Sequence, residues 1–266
     1  MLDCMRTHAV TLTLLLSVAP AVAAPPDVGD LVRVMRTVLE PSRPSVRKMA
    51  ITISAESGEA TKWVAGQARK PSPDGDRILV AILAPADQKG AAYLLREVPN
   101  QANDEEWVYL PVVRRVRKIL PLESFRSFLD SDFTLWDLGL VDVRATYTFL
   151  REETRDDVHA YVIQEVPLGA LRTWYYSRVV TWLAADSSLP LERDFHDPAG
   201  VLWKVETFQQ VTTVNGVPTP LALRMEDRQS GGSTDIVVSD VRYDVDLPDA
   251  LFDPAHLRDA AASPLW

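Results

Sequence analysis

The sequence is poor in the residues from which disulfides and most metal sites are built. Its 266 residues include one cysteine, Cys4, which lies in the N-terminal leader described below. The rest of the chain therefore has no thiol, and it can form neither a disulfide nor a cysteine-ligated metal site. Its stability must come from a hydrophobic core, and a chain of about 240 residues is long enough to bury one.

Histidine is also rare, and the spacings that carry catalysis are missing. Outside the leader, His159, His196 and His256 lie far apart in the sequence. None belongs to an HxH, HxxxH or HExxH motif, which would bring two imidazoles to one zinc ion. The sequence has no GxSxG nucleophile elbow, no P-loop and no GxGxxG loop. We therefore expect a protein that is not an enzyme and that binds neither a metal nor a cofactor.

Positive charge and long apolar runs are the other shortages. The formal net charge is −9, and phosphate-backbone binding needs a basic surface, so we expect no nucleic-acid partner. The apolar run at 10–18 is shorter than the roughly 18 residues of a membrane-spanning helix. It follows Arg6 and precedes an A-x-A cleavage site at 21–23, the pattern of a secretory signal peptide. We predict a signal peptide over 1–23, export to the periplasm, and a single, monomeric domain over 24–266.

What the sequence does contain is mainly the pattern of β-strands. Residues 27–40 have apolar residues at helical spacing, and Asp27 suits the N-cap position. After this helix the apolar period changes to two, and about a dozen strands follow, with Asn215-Gly216 as the strongest hairpin signal. Asp253, followed by proline, predicts a C-terminal helix. The sequence thus predicts a mainly β (α+β) fold, a long antiparallel meander that curls and is closed by a few helices.

Charged and aromatic residues crowd into one stretch, residues 106–140. An aromatic strand is followed by a basic strand and then by a segment rich in aromatic and acidic residues. We expect that segment to fold back over the mouth of the curled sheet, held by arginine–carboxylate pairs as a latch. Two alternatives are a docking surface and, for Asp130 and Asp132, acid–base or Ca²⁺ chemistry. The predicted latch or docking residues are Arg114, Arg115, Arg117, Asp130, Asp132 and Asp137.

Aromatic residues recur along the predicted strands and in this stretch. On one concave face they would line an apolar cavity of a size that suits a lipid. The alternative is that they fill the core of a large sheet. The residues predicted to line the cavity are Trp63, Trp107, Tyr109, Phe128, Phe133, Trp136, Trp174, Trp182 and Trp203.

Several runs together resemble the LolA-like outer membrane lipoprotein-sorting family of the bacterial periplasm, in its larger branch. The similarity covers nearly the whole mature chain. The chain departs from the family pattern at Asp130, where glycine is usual, and at 135–136, where Leu-Trp stands for the usual Tyr-Glu. The similar runs are PADQKGAAYL at 85–94, WVYLP at 107–111, SDFT at 131–134, LPL at 189–191 and VRYDV at 241–245.

The resemblance implies both a fold and a function. The fold is an incomplete antiparallel β-barrel wrapped around an apolar cavity, with helices as its lid. The function is a periplasmic carrier that binds the acyl chains of a lipoprotein or lipid for transfer toward the outer membrane, from an inner-membrane exporter to an outer-membrane acceptor. The alternative function is a non-catalytic accessory or docking subunit of an RND-type lipid exporter of the cell envelope.

Overall fold

A computed structural model of the chain describes residues 25–39, 41–98, 104–120, 123, 125–138, 144–169 and 175–266. Within this part, one α-helix precedes thirteen β-strands, and short 3-10 helices lie near the middle and at the end. The strands are β1 (Ser45–Ser54), β2 (Ala60–Lys70), β3 (Arg77–Ala84), β4 (Ala92–Arg96), β5 (Glu105–Leu110), β6 (Arg115–Lys118), β7 (Ala145–Arg155), β8 (Val158–Pro167), β9 (Arg178–Ala184), β10 (Pro190–His196), β11 (Leu202–Val214), β12 (Val217–Asp227) and β13 (Ser233–Tyr243).

The helix, α1 (Val28–Leu39), forms where the apolar spacing predicts it. Asp27 caps its first turn, because the carboxylate Oδ1 accepts a hydrogen bond from the backbone N of Asp30 at 3.1 Å. One stripe of the helix is buried against strands β7 to β9, so α1 covers that end of the sheet. The buried residues of the stripe are Leu31, Val32, Met35 and Val38.

All thirteen strands form one antiparallel sheet in the order β6-β5-β4-β3-β2-β1-β13-β12-β11-β10-β9-β8-β7. Neighbours in the sheet are neighbours in the sequence except at the centre, where β1 pairs with both β2 and β13. Strands β6 and β7 remain as the two edges of the described sheet. The predicted fold class, an incomplete antiparallel β-barrel with few helices, is therefore confirmed.

The sheet curves so that strands far apart in its order share one core. This inner core joins residues of β3 and β4 to residues of β9 and β10, although six strands lie between β3 and β9. Apolar residues at alternate strand positions turn inward, as the period of two predicts. The buried sheet residues of the inner core are Met49, Ile51, Ala65, Ile78, Val80, Ile82, Leu95, Val179, Phe195, Met225, Ile236 and Val238.

The C-terminal segment covers the outer face of strands β1 to β5. Its 3-10 helices, Asp249–Phe252 and Pro254–Ala262, pack Phe252 and Leu257 on this face. The carboxylate of Asp253 accepts a hydrogen bond from the backbone N of the second residue after it, at 2.8 Å. The predicted C-terminal helix is therefore present, in the 3-10 form, and the sheet has a second core on its outer side.

The predicted signal peptide, residues 1–23, lies outside the described residues, and its cleavage stays a prediction. Among the described residues, no helix combines the length and the apolar character that crossing a membrane requires.

Candidate functional site

One connection enters the inside of the curved sheet. Residues 125–138, here called the plug, follow β6 and lie in the inner core between the two halves of the sheet. Ser127 and Thr134 form an isolated antiparallel bridge, and the backbone N of Phe128 donates to the carbonyl oxygen of Phe133 at 2.7 Å. The plug is therefore a loop closed on itself, and it does not pair as a strand with the sheet.

The second turn of the plug is fixed by reciprocal hydrogen bonds. The backbone N of Thr134 donates to Oδ2 of Asp137 at 2.8 Å, and the backbone N of Asp137 donates to Oγ1 of Thr134 at 3.1 Å. This is the logic of a capping box, in which two side chains three residues apart satisfy each other's backbone N–H groups. Both residues are buried, so these bonds remove the cost of two unpaired donors.

Three aromatic side chains of the plug fill the inner core. Phe133 is fully buried, and Phe128 and Trp136 are nearly so. The ring of Phe128 meets Tyr93 of β4 edge to face at 5.4 Å between centroids, and Trp136 meets Tyr176, just before β9, at 5.1 Å. Aromatic pairs contribute stability beyond the area they bury. The plug therefore connects the two halves of the sheet through its rings.

Two buried cations of the sheet hold the backbone of the plug. The Nζ of Lys204, on β11, donates to the carbonyl oxygen of Asp132 at 2.6 Å and lies 3.9 Å from Oδ2 of Asp137. Arg193, on β10, donates to the carbonyl oxygen of Asp137 at 3.3 Å and to Oε2 of Glu206 at 3.1 Å. Hydrogen bonds from charged donors are the stronger ones in proteins, so these contacts are the main polar attachment of the plug.

Neutral donors complete the attachment. The Oγ1 of Thr234, on β13, donates to Oδ2 of Asp132 at 2.7 Å and accepts from the backbone N of Asp132 at 3.0 Å. The hydroxyl of Tyr176 donates to Oδ2 of Asp137 at 3.2 Å. The carboxylates of Asp132 and Asp137 are thus held by strands β11 and β13 and by the connection before β9.

Burial controls the ionisation of this cluster. Burial raises the pKa of Glu206 to about 8, although the neighbouring Arg193 favours the carboxylate. Burial opposes the charge of Arg193, but the carboxylates of Glu206, Glu165 and Asp137 outweigh it and raise the arginine's pKa. Burial, and then the charge of Asp137, raise the pKa of Tyr176. The tyrosine therefore stays a hydrogen-bond donor, and Arg193 keeps its charge inside the sheet.

The arginine–carboxylate pairs predicted for the latch are wrong. Arg114 and Arg115 are exposed, and Arg117 pairs with Glu123 at 2.8 Å. Within the described residues, none of these arginines forms an ion pair with the predicted carboxylates. The reason is topological, because β6 is the exposed edge strand whereas the plug faces β10, β11 and β13. The predicted carboxylates are Asp130, which is exposed, Asp132, which is half-buried, and Asp137, which is buried.

The structure does not bring the side chains of Asp130 and Asp132 together, as the alternative of a metal site or an acid–base pair would require. The side chain of Asp132 turns inward to Thr234, whereas Asp130 is exposed. Across the described residues, no group of three or more His, Cys, Asp and Glu side chains is placed to hold a metal ion.

Five of the aromatics predicted to line a cavity meet in the inner core, and three do not. Trp107 and Tyr109 belong to the outer core under the C-terminal segment. Trp182 lies in a separate small cluster, where its Nε1 donates to Glu153 at 2.5 Å. Trp174 lies outside the described residues. The aromatics brought together in the inner core are Trp63, Phe128, Phe133, Trp136 and Trp203.

The error at Trp107 and Tyr109 has a simple physical cause. Both faces of β5 are covered, so apolar residues occur at successive positions and alternation alone cannot say which face is inner. The residue of β5 that faces inward is Val108, which pairs with Tyr93 of β4 and lines the same cavity. The prediction that the two aromatics share the cavity is corrected accordingly.

A cavity of about 170 Å³ lies beside the plug, between β5 and the residues that follow β6. Pockets that bury a drug-sized ligand have roughly 300–1,000 Å³, so this space is small for an acyl chain while the plug is in place. The residues that line it are Tyr93, Val108, Leu110, Arg117, Ile119, Glu123, Arg126, Ser127, Phe128 and Leu135.

Sequence reasoning missed the buried cations and their carboxylate. Arg193 lies directly opposite Glu206 in the register of β10 and β11, and Lys204 is two residues from Glu206 on the same face. Charged residues at alternate strand positions normally indicate a face exposed to water. Only the Thr134-x-x-Asp137 spacing could have indicated a buried polar turn, because the capping-box pattern is visible in sequence.

Comparisons with known proteins agree with this geometry. A family model described as an uncharacterized protein matches residues 74–259. A search of curated proteins found no match. One similar solved structure is a domain assigned to outer membrane lipoprotein sorting from Vibrio parahaemolyticus, with 24% identity and a TM-score of 0.77, covering 86% of this chain and 97% of that chain.

Two further structures have the same fold. A DUF1329 family protein from Desulfovibrio piger is 29% identical with a TM-score of 0.76, and the match covers 86% of this chain and 96% of that chain. A LolA superfamily protein from Nitrosomonas europaea is 21% identical with a TM-score of 0.70, and the match covers 86% and 98%. The family model covers more than half of the sequence. The chain therefore belongs to the uncharacterized protein family of that model, and it has the LolA-like fold of the outer membrane lipoprotein-sorting proteins.

Proposed function

We propose that this protein is a periplasmic carrier that binds the acyl chains of a lipoprotein or lipid on the inner face of its sheet. The observation that carries the proposal is the plug, because a connection rather than a strand or helix fills the apolar interior. Its rings occupy a continuous apolar face, and its polar attachment to the sheet consists of a few side-chain hydrogen bonds. Displacement of the plug would therefore open an apolar surface without breaking the sheet.

An acyl chain has a strong physical need for such a surface. Each methylene exposed to water costs about 0.8 kcal/mol, so a long chain crosses an aqueous compartment poorly unless a protein covers it. The inner face offers aliphatic, methionine and aromatic side chains from both halves of the sheet. In the proposed cycle the plug and the acyl chain compete for this face.

The proposed location follows from the predicted signal peptide and from the lipoprotein-sorting relative. The carrier would receive its cargo from an inner-membrane exporter and deliver it to an outer-membrane acceptor. Transfer needs no covalent chemistry, since the plug replaces the cargo on the inner face when the cargo leaves.

A disulfide across the plug tests the proposal. The side chains of Asp132 and Thr234 contact each other at 2.7 Å between Oδ2 and Oγ1, so the double variant Asp132→Cys/Thr234→Cys places two thiols close together. Protein without the leader has no other cysteine. We expect uptake of a fluorescent fatty acid to fall to background in the oxidised variant and to return on reduction.

The single variants Asp132→Cys and Thr234→Cys are the matched controls, because neither can crosslink within one molecule. Both should take up the probe in either redox state. Equal uptake by the oxidised and reduced double variant would contradict displacement of the plug. Absence of uptake by the wild type, together with a native mass spectrum free of any lipid after gentle purification, would contradict the carrier function itself.

A second candidate function is docking on an inner-membrane lipid exporter. The observation that favours it is the turn between β5 and β6, which exposes Val112 by 83% and Val113 by 56% beside Arg114 and Arg115. The double variant Arg114→Glu/Arg115→Glu separates the two functions, since it leaves the plug untouched. Loss of recovery with the envelope membrane fraction, with probe uptake intact, would support docking; unchanged recovery would contradict it.

A further inference from the structure

Lys204 and Arg193 are unusual residues for the inside of an apolar sheet. Lys204 is 4% exposed and Arg193 is 5% exposed. A buried charge is costly unless partners of opposite charge or hydrogen-bond acceptors compensate it. An interior built only to hold acyl chains would have no need of two cations.

The plug supplies much of this compensation. Of the acceptors around Lys204, the carbonyl oxygen of Asp132 lies at 2.6 Å and the carboxylate of Asp137 at 3.9 Å. Both belong to the plug. Arg193 also donates to the plug, at the carbonyl oxygen of Asp137, but it keeps its bond to Glu206 on the neighbouring strand. Displacement of the plug would therefore remove more of the compensating contacts of Lys204 than of Arg193.

The sheet itself offers Lys204 mainly aromatic faces. Its Nζ lies 4.8 Å from the ring centroid of Trp203, 5.7 Å from that of Tyr176 and 5.9 Å from that of Tyr175. Asp227, on β12, lies opposite Lys204 in the register of β11 and β12. Its carboxylate already accepts hydrogen bonds from the indole of Trp203 and from the turn after β12. Cation–π contacts contribute about 0.5–2 kcal/mol, which is small beside the cost of a buried cation that has lost the Asp132 carbonyl and the Asp137 carboxylate.

The plug also shows which chemical group fits beside Lys204. The Oδ2 of Asp137 accepts a hydrogen bond from the hydroxyl of Tyr176 at 3.2 Å while it faces the ammonium group. Its Oδ1 is buried and has no hydrogen-bond partner among the described residues. The site therefore accommodates a carboxylate, with a cation and a neutral O–H donor directed at one of its oxygens.

We propose that Lys204, with Tyr176 and Arg193, forms an anion site that binds the negatively charged end of an acyl ligand in place of Asp137. The ligand class is an acyl chain that ends in a carboxylate or a phosphate. Its head would take the position of the Asp137 carboxylate, and its chain would take the position of Phe133 and Trp136 on the inner core. This inference deepens the proposed carrier function and rests on it.

Matched ligands test the site in the wild-type protein. Displacement of a fluorescent acyl probe by palmitic acid is compared with displacement by methyl palmitate and by hexadecanol at neutral pH. We expect the acid to bind at least about tenfold more tightly than either neutral compound, because a hydrogen bond to a charged group contributes more than a neutral one. Monopalmitoyl lysophosphatidate extends the comparison to a phosphate head.

Variants of Lys204 test whether the preference for the acid over the neutral compounds arises at this site. In Lys204→Met the ratio of acid to ester affinity should fall to about twofold or less, and in Lys204→Arg it should stay near the wild-type ratio. The ratio is the quantity to measure, because weakening of the plug changes both affinities by the same factor. Where Lys204→Met does not fold, the wild-type comparison and Lys204→Arg decide the question.

The outcomes separate this inference from the carrier function. Equal affinity of the acid and the neutral compounds would overturn the anion site and leave the carrier in place. A preference for the acid that persists in Lys204→Met would also overturn it. If none of the compounds displaces the probe and the probe itself does not bind, the carrier function fails, and the anion site fails with it.

Discussion

The Nζ of Lys204 lies 2.6 Å from the carbonyl oxygen of Asp132, and this contact attaches the plug to the far half of the sheet. The donor is charged and buried, and the acceptor belongs to a loop that makes no ladder of backbone bonds with any of the described strands. The bond is therefore a local determinant of whether the plug stays inside.

Removal of the ammonium group should loosen the plug before it unfolds the sheet. We expect Lys204→Met to lower the free energy of unfolding by about 1–3 kcal/mol, since a buried carbonyl loses its donor. Hydrogen exchange should accelerate in residues 125–138 more than in β1 or β13. Lys62→Met, a change at an exposed position of β2, should stay within about 0.5 kcal/mol of the wild type. Uniform acceleration across the sheet would contradict the local role.

The first turn of the plug has a backbone that favours glycine. Leu129 has φ 56° and Asp130 has φ 61°, in the left-handed region that costs most residues with a Cβ about 1–2 kcal/mol and that Asp tolerates better. A left-handed backbone at position 130 is consistent with the glycine that the family resemblance implies there. The aspartate keeps the loop geometry because its short side chain is exposed and suits this conformation.

The stability of variants at Asp130 should depend on the left-handed backbone conformation rather than on the charge of the side chain. We expect Asp130→Ala to destabilise the protein by about 1 kcal/mol, because alanine has no local hydrogen bond to offset the left-handed conformation. Asp130→Gly and Asp130→Asn should lie within about 0.5 kcal/mol of the wild type. Urea unfolding measures all three. Equal stability of the alanine and glycine variants would show that the conformation is not the cause.

The fold could be predicted because its determinants are periodic and local. The spacing of Leu31, Val32 and Met35 indicates α1, the Asn215-Gly216 turn joins β11 to β12, and the alternation from β1 onward indicates strands. The sequence also predicts that the acidic–aromatic segment folds back over the mouth of the sheet, whereas the structure places it deeper, in the inner core. A loop rich in phenylalanine and tryptophan is stable only if those rings are covered.

The partners of the plug could not be predicted, for a physical reason. The nearest cations in sequence are those of β6, but the sheet order places β6 at one edge and brings β10 and β11 to the plug. Lys204 and Arg193 are more than 50 residues from the plug, so their contact depends on the curvature of the whole sheet. The predicted location of Trp107 and Tyr109 is wrong because both sides of β5 are covered, so that their apolar character does not indicate which face is inner.

The outer core offers an independent test of packing. A Cβ on Gly66 of β2 would lie 2.3 Å from the ring of Trp266, whose Nε1 donates to the carbonyl oxygen of Ala260 at 2.9 Å. We expect Gly66→Ala to displace this ring and to cost about 1–3 kcal/mol. Thermal unfolding measures the loss, and quenching of tryptophan fluorescence reports the displaced ring.

The double variant Gly66→Ala/Trp266→Ala identifies the cause of that loss. If the clash with the ring is responsible, the glycine substitution should cost little once the ring is absent, and the two effects should not add. Additive losses would mean that β2 needs glycine at this position for its own backbone.

The ionisation of Glu206 should give the protein a measurable dependence on pH. Burial raises the pKa of Glu206 to about 8 from an ordinary value of 4.5. Between these values the folded protein holds a proton that the unfolded chain has released. Stability should therefore fall as pH rises through this window, by at most about 1.4 kcal/mol per pH unit, and this contribution should level off above the folded pKa.

Glu206→Gln removes this proton while it keeps an oxygen acceptor for Arg193. Urea unfolding at about pH 5.5, 6.5 and 7.5 should show that the stability difference, wild type minus variant, declines as pH rises. Burial raises the pKa of Asp194 to about 7, and it adds a slope of the same sign, but both proteins share that slope and it cancels in the difference. Parallel stability profiles would mean that Glu206 is ionised inside the sheet across this range, and the plug would then face a fully charged Arg193–Glu206 pair.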